Sequence, residues 1–162
     1  MKIIVLSDTH IPERAKDIPE ELYKDMKSAD LIVHAGDITS LAFFNKIGKI
    51  TDLKAVHGNM DEPRLKEILP LKQMIKVNGF SIGLIHGWGS PFGMLDLVQE
   101  EFVKEKPDII IFGHTHKTFN LRRNNILLFN PGSPTDKIFS ETNSYGVITI
   151  SDKIEAKIVN LV

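Results

Sequence analysis

The stretch Ile109-Ile110-Ile111-Phe112-Gly113-His114-Thr115-His116 constrains the fold more than any other part of the chain. An unbroken apolar run of strand length reads as a strand covered on both faces, the kind found in parallel or mixed sheets. Gly113 ends the run and can supply a backbone angle closed to other residues. Two histidines follow, one residue apart. In extended backbone, residues i and i+2 share a face, so both imidazoles are expected to converge just past the strand's carboxyl end. Open α/β sheets place their ligands at that edge.

The same design recurs along the chain. Residues 2–6 run into Ser7-Asp8-Thr9-His10, and Leu31–Ala35 into Gly36-Asp37. Leu53–Val56 leads to His57-Gly58-Asn59-Met60-Asp61, and Ser81–His86 to Gly87. Apolar spacing predicts helices over Ile18–Lys27, Leu41–Ile47, Glu62–Ile68 and Met94–Lys104, with Pro19 and Pro63 at permitted first-turn positions. After Lys117 the helical pattern stops. Hairpins are expected around Asn78-Gly79, Arg123-Asn124-Asn125 and Ser151-Asp152-Lys153. Strand–helix alternation followed by hairpins predicts an α/β chain: two packed, mostly mixed β-sheets forming a sandwich flanked by helices. With 162 residues and no repeat, linker or low-complexity tract, residues 1–162 are expected to form a single domain.

Composition narrows the function. A net charge of −1 argues against a dedicated nucleic-acid surface. No apolar run reaches membrane-spanning length, so no membrane association is expected. The opening segment reads as a strand too short for a signal peptide, which makes the cytoplasm the default location. The absence of cysteine removes disulfides, thiolate ligands and thiol nucleophiles. A metal site must then use His, Asp, Glu and Asn, a donor set suited to Mn, Ni, Fe, Mg or Zn.

Five strand ends carry such donors: Asp8 and His10; Asp37; Asn59 and Asp61; His86; His114 and His116. Each piece alone is ordinary, since Gly-Asp is usually a turn and a single histidine after a strand is usually structural. Their conjunction on successive strands is not, and it takes up four of the six histidines. A set like this suits two divalent cations about 3.5–4 Å apart that share a carboxylate to offset their repulsion. A water acidified by both ions would be a hydroxide nucleophile at neutral pH, and the ions would stabilise the charge developing in an in-line displacement at phosphorus.

In motif order the chain resembles the calcineurin-like metallophosphoesterase superfamily. The motifs are Asp8-Thr9-His10, Gly36-Asp37, Gly58-Asn59-Met60-Asp61, His86-Gly87 and Gly113-His114-Thr115-His116. The compact length and Asn130-Pro131-Gly132-Ser133 are similar to its small YfcE-type single-domain branch. The resemblance implies the metallophosphoesterase fold and a ligand set. Asp8, His10 and His116 would hold one metal; Asn59, His86 and His114 the other; Asp37 would bridge both. It also implies that Asp37, Asn59 and His86 carry catalysis, the Asn59 amide touching the substrate phosphate. Many members have a histidine after this asparagine that assists the phosphate or protonates the leaving group. Met60 stands there instead and can do neither, so good leaving groups such as aryl esters are expected to be preferred.

The remaining residues have plainer readings. His34 is expected to be a core histidine satisfied by backbone, and Asp61 to orient its loop rather than bind metal. His57 is read mainly as structural, at the edge of the site, and Arg122-Arg123 as a solvated hairpin tip. Trp88 and Phe92 admit two readings, a wall of the substrate cleft or a contact within a homo-oligomer. The leading expectation is a divalent-metal phosphodiesterase, Mn- or Ni-type, acting on a small or nucleotide-like phosphodiester. The alternatives are a phosphomonoesterase and a protein-binding scaffold. The chain is similar to the eukaryotic retromer scaffold subunit in Asp8-Thr9-His10-Ile11-Pro12 and in Ile82–Gly87. Asp37 and Asn59, however, are the choices of the enzymes.

Overall fold

Strands buried on both faces need a layer on each side, and alternation along each strand shows which layers these are. The computed structural model describes residues 1–161. In β1 (Lys2–Leu6), Ile3 and Val5 face one core, while Ile4 and Leu6 face another. In β6 (Ile109–Ile111), Ile109 and Ile111 join Ile3 and Val5, while Ile110 turns the other way. The shared core lies between two sheets, and each outer core lies under helices.

The first sheet has the order β10-β9-β1-β2-β3, with β2 (Leu31–His34), β3 (Leu53–Ala55), β9 (Ser144–Ile150) and β10 (Ile154–Asn160). The second has the order β4-β5-β6-β8-β7, with β4 (Lys72–Val77), β5 (Phe80–Ile85), β7 (Thr118–Arg123) and β8 (Ile126–Pro131). Each is mixed, with a parallel centre (β1-β2-β3 and β5-β6-β8) and hairpin-paired edges. The parallel centres send their carboxyl ends to one side, which is where the donor residues emerge. Helices α1 (Glu20–Lys27), α2 (Leu41–Ile47) and α3 (Pro63–Ile68) cover the first sheet through Leu22, Met26, Phe43, Ile47 and Leu65. α4 (Met94–Glu101) covers the second through Met94 and Val98. No helix among the described residues is long and apolar enough to cross a membrane.

The predicted two-sheet α/β architecture is what forms. Asn78-Gly79 and Asn124-Asn125 turn with positive φ at both residues, as two-residue hairpins require. Two helix ends differ from expectation. α1 starts at Glu20, with Pro19 in the capping position, and Ile18 is buried ahead of the helix. α4 stops at Glu101, where Phe102 leaves the helical path to lie against Gly83; a Cβ there would meet the Phe102 ring at 3.0 Å.

Candidate metal centre

The loops that leave the parallel strands bend sharply, and the donor residues sit at the bends. Asp8 (φ 53°), His10 (φ 43°), Asp37 (φ 53°), His114 (φ 68°) and His116 (φ 57°) all adopt left-handed backbone. Such a conformation is sparsely populated for residues with a Cβ and persists only where surrounding contacts impose it. This corrects the extended-strand expectation for His114 and His116. β6 ends at Ile111, the two histidines follow in a bend, and their rings part to two sides of the site.

On one side, Asp8, His10 and His116 bring one donor atom each to within 4.8 Å of one another. His116 Nε2 lies 3.4 Å from Asp8 Oδ1. His116 Nδ1 lies 2.5 Å from Asp136 Oδ2, so the Nδ1 proton is donated to that carboxylate and Nε2 keeps its lone pair. A second group joins Asp8 to Asp37 and His86, again within 4.8 Å. His86 Nδ1 donates to the Ala35 carbonyl at 2.7 Å and turns Nε2 toward Asp37 Oδ2 at 3.4 Å. Asp37 Oδ2 is also 3.6 Å from His10 Nε2, so this carboxylate faces histidines of both groups. Asn59 and His114 stand apart from these groups as a pair of their own, with Asn59 Oδ1 3.1 Å from His114 Nδ1. His114 Nε2 is tied to the Gly89 carbonyl at 2.8 Å, which leaves Nδ1 as the donor atom turned toward Asn59.

The arrangement leaves polar atoms without partners. Four buried side-chain polar atoms lack a hydrogen bond among the described residues, and three of them, Asp8 Oδ1, His10 Nε2 and His86 Nε2, lie here. An unsatisfied buried group costs about 1–3 kcal/mol, so three at one point are not accidental packing. One carboxylate oxygen and two imidazole nitrogens are the donors that a divalent cation takes. The residues fit such an ion.

Charge shapes the site further. Burial opposes protonation of His86, but Asp37 and Asp8 outweigh it and push its pKa up to about 9. Burial likewise opposes ionisation of Asp37, and the neighbouring His86 overrides it, holding the carboxyl down to about 2. Burial lowers the His10 pKa, with Asp37 and Asp8 opposing. A proton on His86 and a metal ion therefore compete for the same place between carboxylates.

A framework outside the donors holds them. Ser7 Oγ donates to Asp8 Oδ2 at 2.5 Å, and Ser133 Oγ donates to the Asp8 carbonyl at 2.7 Å. Asn130 donates to the Gly113 carbonyl at 2.9 Å. A Cβ on Gly113 would overlap Ser7 Oγ and press on Asp8 Oδ2 at 2.9 Å, so only glycine fits between β6 and the first loop. Asp61 accepts from the Gly58, Asp37 and Thr39 amides, the loop-orienting role expected of it. His34 is fully buried; its Nδ1 accepts from the Gly36 amide and its Nε2 lies 3.1 Å from Thr9 Oγ1, so a hydroxyl joins the backbone in satisfying it. The His57 ring Nδ1 lies 3.4 Å from the Gly58 carbonyl, and its backbone amide donates to the Pro70 carbonyl at 3.1 Å, a structural role at the edge of the site.

A cleft of about 480 Å³ opens over the donors, lined by His10, Arg14, Asn59, Met60, His116 and Phe139 among others. Trp88 and Phe92 do not line it, and Phe92 stands 93% exposed. The aromatic wall is Phe139 instead. A wider groove of about 610 Å³ runs between α4 and the β7–β8 hairpin, but it holds no histidine and none of the donors. Chemistry assigns the smaller cleft. Asp136 and Phe139 were not legible as site residues, because nothing near them in sequence marks them and only folding brings them to His116; Arg14, four residues after His10, meets both of them only in the fold.

The sequence matches the model of the calcineurin-like phosphoesterase superfamily domain over residues 1–153. The chain belongs to that superfamily. It is 34% identical over 159 residues to a probable metallophosphoesterase of Methanothermobacter thermautotrophicus, covering 98% of this chain and 92% of that one. Among solved structures, it is similar to an archaeal phosphodiesterase with a TM-score of 0.78 at 24% identity, covering 99% of this chain and 100% of the other. It is likewise similar to Vps29 of Chaetomium thermophilum, with a TM-score of 0.81 at 22% identity over 99% and 94% of the two chains. Both structural likenesses establish the fold. Membership of the superfamily makes this chain a metal-binding phosphoesterase, and the donor groups at the strand ends are its candidate ligands.

Proposed function

We propose that the chain is a divalent-metal-dependent phosphodiesterase working through a pair of ions. Asp8, His10 and His116 would hold one, and Asn59, His86 and His114 the other, with Asp37 between them. The observation that carries this reading is the set of unpartnered buried donors, Asp8 Oδ1, His10 Nε2 and His86 Nε2, around Asp37. When bound, such ions, with Mn first among the metals this donor set suits, supply Lewis acidity toward phosphate oxygens and lower the pKa of a water that serves as nucleophile.

The chain's own residues do the rest. Asn59, at the mouth of the cleft, orients a phosphate oxygen through its amide. Asp136 keeps His116 in the tautomer whose Nε2 faces the centre. Met60 donates its backbone amide to Asp37 Oδ1 at 2.7 Å, fixing that carboxylate, while its side chain offers no proton to a departing alkoxide. Leaving groups must therefore depart without a general acid at this position, which favours aryl esters. The archaeal phosphodiesterase of the same fold supports the diester choice. The test is hydrolysis of bis-p-nitrophenyl phosphate against p-nitrophenyl phosphate by protein stripped and reloaded with Mn, Ni, Mg or Zn, beside Asp37→Asn. Metal-dependent diester cleavage that the variant loses supports the reading. Faster monoester cleavage points to a phosphomonoesterase. No turnover with any metal, in protein that binds ions, points to the scaffold alternative that the Vps29 fold also fits.

A further inference from the structure

Phe139 is the one large aromatic side chain lining the cleft, and it remains 60% exposed. Two contacts fix its ring. It meets the His116 imidazole edge-to-face at 5.7 Å between centroids, and the Arg14 guanidinium lies 5.6 Å from its centre. Its backbone amide donates to Asp136 Oδ2 at 3.0 Å, the same oxygen that orients His116. The ring is thus registered to the metal centre rather than to the outer surface. Met60, also 60% exposed, lines the cleft from the loop after β3. Two soft apolar walls and a planar cation therefore rim a polar floor.

Resting on the phosphodiesterase reading, we infer that Phe139, with Arg14 and Met60, forms a stacking subsite selecting phosphodiesters that carry a planar group of nucleobase type. A dialkyl phosphate would reach the donors and leave both walls wet. A planar ring laid against Phe139 would cover its exposed face, and the guanidinium beside it adds cation–π attraction. Arg14 does not fill this role alone, because its own contact with the ring leaves most of the ring exposed. The concave shape and a volume of about 480 Å³ suit a small ligand rather than a flat protein surface.

Two esters with the same leaving group test this: the p-nitrophenyl ester of thymidylate, and methyl p-nitrophenyl phosphate. Base stacking on one aromatic ring is expected to lower KM for the thymidylate ester by roughly 5- to 100-fold relative to the methyl ester, with kcat values close together. Phe139→Ala is expected to bring the KM ratio below about threefold, and Phe139→Tyr to restore it. Calorimetric binding of thymidylate against methyl phosphate, which needs no turnover, is expected to show the same preference and the same loss. Equal KM and equal binding of the two ligands in the unaltered protein, or a ratio that survives Phe139→Ala, would overturn the subsite. Failure to hydrolyse either ester while thymidylate still binds preferentially would retain the subsite and overturn the hydrolase reading instead.

Discussion

Replacing Asp136 by asparagine keeps the shape of the side chain and changes only what it can accept. The carboxylate is fully buried and serves four neighbours. Oδ1 accepts from the Ile138 amide at 3.1 Å and lies 3.7 Å from Arg14 Nε; Oδ2 accepts from the Phe139 amide at 3.0 Å and from His116 Nδ1 at 2.5 Å. An asparagine has one acceptor oxygen. Placed toward Ile138 and Arg14, it turns its NH2 against the Phe139 amide alone. Placed the other way, its NH2 conflicts with both Ile138 and Arg14. In the first orientation, which keeps an oxygen beside the Arg14 guanidinium, the NH2 donates to His116 Nδ1 and forces the proton onto Nε2. That removes the lone pair facing Asp8. Loss of an outer partner of a metal-binding histidine weakens the metal by about 10–100-fold, or about 1.4–2.8 kcal/mol. Calorimetric titration with Mn at pH 7.5 measures the loss, and nitrogen chemical shifts of the His116 ring report the tautomer. A folded Asp136→Asn protein that binds Mn within about twofold of the original, with Nδ1 still protonated, would refute the reasoning.

Three further outcomes are expected. His34 is held neutral by burial, with a pKa lowered to about 3 against an unfolded value of 6.5. The unfolded chain therefore binds the extra proton, so stability is complete above pH 6.5 and falls as pH drops toward 3; between pH 6.5 and 5 the loss is about 2 kcal/mol. Denaturant titrations in a chelator should show that pH dependence reduced by a similar amount in His34→Gln, and equal dependence in both proteins would count against it. Met60→His should raise the rate on alkyl esters relative to aryl esters by about 10-fold or more, since it restores a proton donor where none stands; an unchanged rate ratio would mean the position lies out of reach of the leaving group. Gly113→Ala should cost about 1–3 kcal/mol from overpacking and weaken metal binding, because Ser7 must rotate off Asp8 to admit the new Cβ. A stable Gly113→Ala protein with unchanged metal affinity would show that the Ser7–Asp8 bond does not matter.

Legibility in the sequence followed the range of the interactions involved. Strands such as Ile3–Leu6 and Ile109–Ile111 are set by local apolar runs, and the Asn78-Gly79 turn by two residues, so both could be read directly. The donor set could be read because it recurs at successive strand ends. Its geometry could not. Left-handed φ at Asp8, His10, Asp37, His114 and His116 is imposed by contacts from distant loops, such as Ser133 on the Asp8 carbonyl. The extended backbone assumed for His114 and His116 was wrong for that reason. Asp136 lies twenty residues beyond His116 in an unpatterned loop, and Phe139 is a lone aromatic in the same loop. Neither carries a local signal, and the glycine-rich Trp88–Phe92 loop, which does, meets the site through the Gly89 carbonyl on His114 and not through its aromatic side chains.

The most direct test of the central claim is diffraction from crystals soaked in Mn, recorded at a wavelength where manganese scatters anomalously. Two anomalous peaks on either side of Asp37 are predicted, one among Asp8, His10 and His116 and one among Asn59, His86 and His114, with Asp37→Asn losing at least one. A single peak, or none in crystals that take up Mn elsewhere, would contradict the paired-ion account.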